Sequence, residues 1–567
     1  MSAAKPPPKP PTTLAASHCR WSCPRSWVRA DEFTSPEPTT LWGRTRVLAA
    51  LDLLAMAGEH PAGLDVVSAG RPGEARAIVS ALESRVPGRV ELVSAPSKLA
   101  LRGRGGPGLL ADPTIDVLVF DSSSLAASDA WPALREALAH GVVTETPPKD
   151  ETTGPTHRAR ASIVLVGPES ARKKLKEKDP SFDACWSERT AFAPDLPRDK
   201  GGVGVVAAKV RSEATKRGFG EITDGALAFL IEQNAGRPSR RHRVSLRTDR
   251  LLRVLAGARA HQPSGPLSTR TVRSAWEALA WRGDVQETGH RARLALRQLQ
   301  VTTSGHRRGV VNGLMVYGSG DASYCIPGRI TARVAVGREG VINIERESKY
   351  SGRSFDKGIF HLAGWLRGTF AGPTHPLGLA ASVAFEQSYG KVDGDSATLA
   401  ETLAILSELT ELPCRQDIAL TGAITQRGSL LPIGSVSLKT RGWWESCRSH
   451  GPLTGTQGVL IPAASAPDLQ LDRDVLRDVR AGRFHVWTAE RIDDAAELVF
   501  GRASGYGTNR PGPATVLGLA ARRLRQMSER LYPPRKPAGG ANTQKAKAKP
   551  AVNAAAAEST EAPPRES

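Results

Sequence analysis

Two short stretches of this 567-residue chain hold residue types that together could cleave an acyl bond. The first is Phe385-Glu-Gln-Ser-Tyr-Gly-Lys-Val-Asp-Gly-Asp-Ser-Ala-Thr398, a polar, glycine-containing loop that ends at Ser396. A helical pattern follows at once, with Leu399, Leu403, Leu406 and Leu409 on neighbouring faces. Ser396 is therefore expected at a helix N-terminus, where free backbone N–H groups and the helix dipole favour negative charge. A hydroxyl there could attack a carbonyl once deprotonated, with oxyanion donors close by. The same pattern describes an ordinary N-cap serine, and an isolated Asp-Gly-Asp-Ser fits that reading better.

The second stretch, Leu431-Pro-Ile-Gly-Ser-Val-Ser-Leu-Lys439, is an apolar turn leading to one lysine, followed by Arg441, Gly442, Trp443 and Trp444. A lysine held against apolar walls loses stabilisation of its charge, so its pKa falls. The neutral amine can then take a proton from serine, the Ser–Lys form of nucleophilic catalysis. Read alone, a lysine in a turn is a solvated one. The chain has no Gly-x-Ser-x-Gly elbow, so a competing hydrolase triad has no support.

Taken together, the two stretches resemble the proteolytic domain of the Lon protease family. The serine motif of that family reads Asp-Gly-x-Ser-Ala, here Asp393-Gly394-Asp395-Ser396-Ala397. Its lysine motif reads Pro-Ile-Gly-Gly-x-x-x-Lys, here Pro432 to Lys439, preceded by the Thr-Gly pair Thr421-Gly422. The Phe-Glu-Gln-Ser-Tyr-Gly and Gly-Asp-Ser variants are similar to a Lon-like branch that carries an AAA-type module upstream. Further matches run through Val311–Leu314, Gly328–Ala332, Ile344–Glu347 and Gln457–Pro462. The resemblance implies Ser396 as nucleophile, Lys439 as general base, and Thr421 as the hydroxyl that holds the lysine. It implies that Asp393 and Glu386 shape the site. Two positions depart from the pattern: Ser435 replaces the second glycine of the lysine motif, and Ala423 replaces the usual acid after Thr-Gly. Both alter the surroundings of the dyad rather than the dyad.

In the same branch an ATPase core precedes the protease, and Leu41–Ala50 resembles its first helix. Leu64–Ala77 falls where its P-loop belongs, a motif that must read Gly-x-x-x-x-Gly-Lys-Ser/Thr. Gly70 remains and Gly73 follows, but Ala75 stands for the second glycine, Arg76 for the lysine and Ala77 for the hydroxyl that holds Mg²⁺. Ala75 adds a methyl where backbone must approach phosphate, Arg76 changes the geometry of the charge, and Ala77 removes a metal ligand. Val117–Asp121 keeps one aspartate, but Ser122 replaces the second acid. Gly70, Gly73, Arg76 and Asp121 are thus expected to form a degenerate nucleotide site that does not hydrolyse ATP. No cofactor is required on this reading, and ATP–Mg²⁺ is the one the family offers. Arg237 falls near where the lid of such a module places a nucleotide-sensing arginine.

The elements that must position these residues follow from the order of the chain. The expected fold class is α/β: a degenerate AAA-like α/β module and a helical lid, then an α+β Lon-type proteolytic domain, with disordered tails. Residues 1–40 open with the Pro/Lys segment Lys5–Pro11 and read as a tail. Residues 41–215 alternate helical patterns with the apolar runs Leu64–Val67, Val117–Phe120 and Ile163–Val166, the pattern of a parallel sheet. Residues 216–300 read as helices, with Ser268 as an N-cap and Val272, Trp276, Leu279 and Ala280 at helical spacing. Residues 305–505 form the proteolytic section. There Arg333–Glu345 alternates around Gly337 and Gly340 as a hairpin would, and strand-like runs recur at Ile418–Ile424, Gly458–Pro462 and Phe484–Thr488. Residues 506–567 form a basic tail, with a short helix expected over Arg522–Leu531 and disorder in the Lys545–Lys549 and Ala554–Ala557 stretches.

Composition narrows the setting. A 40% hydrophobic and 24% charged chain fits a soluble globular protein. No run of 18 apolar residues exists, and the best stretch near the start, Val47–Gly58, is broken by Asp52, so no membrane partner is expected. The first residues lack a hydrophobic segment of the secretory kind. Six cysteines make no disulfide scaffold, and His18, Cys19 and Cys23 have no second ligand cluster at zinc spacing, so a reducing cytoplasm is expected. The net charge of +20 is spread over the chain and could attract nucleic acid weakly, although a solvated arginine-rich surface explains it better. The expected function is a Lon-like serine endopeptidase acting on unfolded polypeptides without ATP hydrolysis, in a homo-oligomeric ring that the family makes hexameric. An ATP-dependent protease with a divergent P-loop, and a non-catalytic nucleic-acid- or protein-binding relative, are the alternatives.

Overall fold

The computed structural model of the chain describes residues 11–29, 35, 37–56, 61–71, 73–148, 150–235, 242–318, 323–372, 376–388, 390–505 and 512–533. Arg237, Lys5–Pro10, Lys545–Lys549 and Ala554–Ala557 lie outside the described residues.

Apolar runs without alternation predict strands covered on both faces, and three such runs form the middle of a parallel sheet. Its order is Arg89–Val93, Ile115–Asp121, Ser162–Gly167, Gly63–Val67 and Glu188–Ala191. Alternate residues face opposite sides. Val117, Val119, Val164 and Val166 pack with helices Thr45–Ala55 and Glu74–Leu82. Leu118, Phe120, Ile163 and Leu165 pack with helices Trp131–His140 and Glu169–Lys178. The two outer strands read Arg-Val-Glu-Leu-Val and Glu-Arg-Thr-Ala, which give no apolar run, so sequence patterning passes over them.

Helices Lys200–Lys216, Asp224–Ala235, Asp249–His261 and Thr269–Gly283 share a separate core built on Val206, Leu230, Leu255 and Val272. Ser268 caps the last of them, its hydroxyl accepting from the Thr271 N–H at 3.2 Å.

The third unit is an eight-stranded mixed sheet. Its order is Thr12–Thr13, His485–Ala489, Gly458–Pro462, Ile418–Leu420, Val310–Tyr317, Tyr324–Ala335, Ala380–Phe385 and Gly340–Asn343. The hairpin expected over Arg333–Glu345 is not one. Strand Ala380–Phe385 inserts between Tyr324–Ala335 and Gly340–Asn343, antiparallel to the first and parallel to the second. The glycines report a chain reversal, and local sequence cannot say whether a distant strand fills the gap. The run Ile418–Ile424 is also divided: it pairs as a strand to Leu420, breaks at Thr421-Gly422, and resumes as Ala423–Ile424 against Leu430–Leu431.

The described parts of both expected tails are packed on the large sheet. Thr12 and Thr13 pair with Thr488 and Trp487, and the Leu14 N–H donates to the Val486 carbonyl at 2.8 Å. Cys19 is then buried in the unit of the large sheet and Cys23 in the helical unit, so the segment straps one to the other. At the other end the helix spans Val516–Leu531 and buries Val516, Leu517, Ala520, Leu524 and Met527 in the core of the large sheet. Its apolar start lies ahead of the arginine-rich part that drew attention in the sequence. Among the described residues no helix is long and apolar enough to cross a membrane, and no group of three or more His, Cys, Asp or Glu is placed to hold a metal.

Candidate functional site

Ser396 sits two residues ahead of the helix Thr398–Thr410, every residue of which is buried. The position before this helix is Ala397, which contributes no capping side chain. Thr398 fastens the loop instead: its hydroxyl donates to the Asp395 carbonyl at 2.9 Å and accepts from the Ile424 N–H at 3.1 Å. The Ser396 hydroxyl is thus not spent on capping. It accepts a hydrogen bond from Lys439 Nζ at 2.7 Å.

The backbone at Ser396 is held by the break in the sheet at Thr421-Gly422. The Gly422 N–H donates to the Ser396 carbonyl at 2.8 Å, and the Leu399 N–H donates to the Gly422 carbonyl at 3.0 Å. The Thr421 hydroxyl donates to the Ser396 carbonyl at 3.2 Å and accepts from Lys439 Nζ at 3.0 Å. One hydroxyl therefore fixes both members of the pair.

Lys439 lies in the first turn of helix Val436–Ser449 and is 4% exposed. That helix presses closely on strand Tyr324–Ala335 at Gly442, where a Cβ would stand 2.4 Å from the Cys325 carbonyl oxygen. Removal from water pushes the Lys439 ammonium down to about 8, with small opposing effects from Cys325 and Asp395. The amine is thus poised to exchange a proton near neutral pH.

Ser435, at the glycine position of the lysine motif, has φ of 58°. This is the left-handed region, where a Cβ costs about 1–2 kcal/mol. Its side chain is exposed and makes no capping bond. Ser435→Gly is expected to raise stability by about 0.5–1 kcal/mol, net of the greater chain entropy of glycine, with activity retained. The midpoint of the denaturation transition that reports the unit of the large sheet reads it.

Asp393 and Glu386 are brought to the same loop but not to the dyad. Asp393 Oδ1 accepts from the N–H groups of Gly394, Ser354 and Phe355 at 2.8, 3.1 and 3.3 Å. These bonds pin the loop to the start of helix Arg353–Phe370 and hold the carboxyl below its ordinary range. Glu386 is exposed, accepts from the Thr331 hydroxyl, and its N–H donates to the Arg329 carbonyl at 3.0 Å. Ala423 is buried and pairs with Leu431.

Other residues of the site carry no signal of their own in the sequence. Gln387 clasps the segment that leads into the unit of the large sheet: its Oε1 accepts from the Gln300 N–H at 2.6 Å and its Nε2 donates to the Gln298 carbonyl at 3.1 Å. Beside this clasp lies a small cleft with Met315, Ile326 and Phe385 among its apolar walls and Arg293 and Arg329 among its polar ones. Glu401, on the helix that follows Ser396, is fully buried. Its Oε1 accepts from Asn343 Nδ2 at 3.4 Å, and its Oε2 and Glu345 Oε2 have no partner among the described residues. Burial, then the Glu345 charge, pushes Glu401 up to about 8 from an ordinary 4.5. The folded state therefore binds the extra proton between those values, and this group makes stability fall as pH rises from 4.5 to 8. Glu401→Gln is expected to flatten that slope and to stabilise the protein at pH 8 by about 1–3 kcal/mol, with little change at pH 4.5 or below; thermal denaturation across pH measures it.

The upstream motif lies between strand Gly63–Val67 and helix Glu74–Leu82. Gly70 and Gly73 have φ of 66° and 90°. Arg76 is exposed on helix Glu74–Leu82. The buried Glu74 carboxylate reaches back to the Arg71 N–H at 2.9 Å, so the chain supplies its own negative charge to the first turn. Asp121 accepts from the Ser123 and Ser124 N–H groups at 2.8 and 3.0 Å and caps helix Ser122–Ala126.

Residues 388–501 match the Lon protease (S16) C-terminal proteolytic domain. The chain is 39% identical over 207 residues to a putative Lon protease homolog of Haemophilus influenzae, covering 36% of this chain and 34% of that protein. It is 32% identical over 234 residues to a putative Lon protease homolog of Escherichia coli, covering 41% and 39%. An archaeal Lon protease of Pyrococcus abyssi is 35% identical over 116 residues, 20% of this chain and 10% of that protein. The chain thus spans little more than a third of the first two relatives and a smaller part of the third.

Proposed function

Because the chain carries the Lon proteolytic domain and belongs through it to the Lon protease family, we propose that it is a serine endopeptidase working through a Ser396–Lys439 dyad. The observation that carries this reading is the 2.7 Å contact between Lys439 Nζ and Ser396 Oγ, with the lysine buried and its pKa lowered. Neutral Lys439 takes the Ser396 proton as Oγ attacks the peptide carbonyl. The N–H groups of Ser396 and Ala397 have no acceptor among the described residues and stand ready for the oxyanion. The Lys439 ammonium then protonates the departing amine. Water, deprotonated by the same lysine, hydrolyses the acyl ester and restores Ser396.

Thr421 positions the amine rather than reacting. Thr421→Val preserves shape and removes the hydroxyl that touches both partners. It is expected to lower kcat by about 10–100-fold with KM little changed, as read with a fluorogenic peptide.

The parallel sheet, which in chain order runs 5-1-4-3-2, and the adjoining helical unit support an AAA-like module upstream. Ala75, Arg76 and Ala77, the exposed placement of Arg76 and the self-capping by Glu74 support one that does not hydrolyse ATP. Without a motor, substrates are polypeptides already unfolded, taken into a homo-oligomeric ring. The test compares an unfolded protein such as casein with a stably folded one. Casein cleavage with the folded protein intact, whether or not ATP is present, is expected. Degradation of the folded protein only with ATP would overturn the motorless reading.

A further inference from the structure

The small cleft beside the Gln387 clasp opens at the root of the serine loop, and its lining holds two arginines and no acid. Phe385, in one wall, is the last strand residue before that loop. Ile326, in another, follows Cys325, whose carbonyl lies against the lysine helix at Gly442. The cleft thus touches the elements that carry both members of the dyad.

Arg293 belongs to helix Val285–Ala295. That helix buries Leu294 among the apolar residues of the large sheet and is braced to the lysine helix by Arg291, 2.8 Å from Glu445. Arg293 itself is exposed and makes no hydrogen bond or ion pair among the described residues. Arg329, half-buried on strand Tyr324–Ala335, bonds only neutral oxygens. Its Nη1 donates to Gln300 Oε1 at 2.6 Å and its Nη2 to the Thr302 hydroxyl at 3.5 Å. Glu386 attracts Arg329 without forming an ion pair, and Arg307 opposes that attraction as a like charge. Burial, then Arg307, holds the Arg329 guanidinium below its ordinary range.

A guanidinium that has lost water and gained only neutral acceptors is incompletely compensated, and a carboxylate supplies what is missing. The apolar walls of Met315, Ile326 and Phe385 suit a short aliphatic stem and shelter an ion pair from water. Glutamate has that stem and that charge.

We propose that this cleft is a specificity pocket in which Arg293 and Arg329 bind the carboxylate of an acidic side chain of the substrate polypeptide. The proposal rests on the endopeptidase reading and adds to it a preference for an acidic over a neutral residue at one position near the bond that is cut. Arg293 lies ahead of residues 388–501, so the helix that leads into the large sheet completes the pocket.

Internally quenched peptides of one apolar, unfolded sequence test it, with a single glutamate or glutamine walked through about four positions on each side of the cleaved bond. The peptides are amidated at the C-terminus, so the side chain is their sole carboxylate. At one position glutamate is expected to raise kcat/KM by about tenfold or more over glutamine, mainly through KM. Arg329→Met and Arg293→Met should each reduce that ratio to about threefold or less. The ratio is taken within one protein, so a loss of folded enzyme cancels, and the exposed Arg293 keeps the test valid if Arg329→Met does not fold. Arg293→Glu should transfer the preference at that position to lysine, which an arginine with a merely structural role would not do. Arg477→Ala, on the exposed face of helix Arg473–Arg480, should keep the wild-type ratio. Cleavage that does not distinguish glutamate from glutamine at any position, or a preference untouched by both methionine variants, overturns the proposal and leaves the endopeptidase reading standing. Cleavage of none of the peptides overturns that reading and the proposal with it.

Discussion

Lys439→Arg is expected to lower kcat/KM by about 10³-fold or more while the chain still folds. The argument rests on proton affinity. Lys439 is driven down to about 8 because its buried surroundings penalise charge, so near pH 8 a large fraction of the enzyme holds the free amine. A guanidinium stays protonated at every accessible pH and cannot take the Ser396 proton. Lys439→Met keeps a long side chain in the buried slot without any base, and the same loss is expected. The wild-type pH profile carries the sign: the active form is the deprotonated one, so kcat/KM should rise with pH through an apparent pKa near 8 and then level. A profile that rises and levels well below pH 7 would assign the base to some other group.

Ser396→Ala is expected to reduce peptide hydrolysis by about 10⁴-fold or more, to the level that binding and oxyanion donors alone sustain. The loss should not come from misfolding. The loop is held by Thr398, Asp393 and the backbone bonds to Gly422, none of which uses the Ser396 hydroxyl. Lys439 Nζ retains Thr421 as an acceptor. The denaturation midpoint should therefore stay close to that of the wild type, and a serine-directed acylating probe that labels the wild type should not label the variant.

What was readable beforehand depended on how local each signal is. Ser396, Lys439 and Thr421 lie in two motifs joined by a run with regular strand and helix patterning, and the structure brings the three together within 3.0 Å contacts. The three inner strands of the parallel sheet were legible because burial on both faces leaves an unbroken apolar run. Glu188–Ala191 was not, because an edge strand can be polar. The split pair around Ala380–Phe385 was hidden for a different reason: inserting a strand from 40 residues downstream leaves no mark on the two strands it separates. Composition marked both ends as tails, yet a few residues sufficed to dock them. Thr12 and Thr13 add to a sheet edge through backbone bonds, which need no particular side chains. Arg44 illustrates the limit most clearly. Its arginine type is ordinary in a basic chain, and only its burial, with Nε and Nη1 lacking a hydrogen-bond partner among the described residues, sets it apart.

Casein digestion by the wild-type protein and by Ser396→Ala, each with and without ATP–Mg²⁺, tests the central claim most directly. The proposed dyad and the proposed absence of ATP hydrolysis upstream together predict cleavage by the wild type at the same rate under both conditions, and none by the variant. Cleavage that requires ATP–Mg²⁺, or that survives in Ser396→Ala, would contradict it.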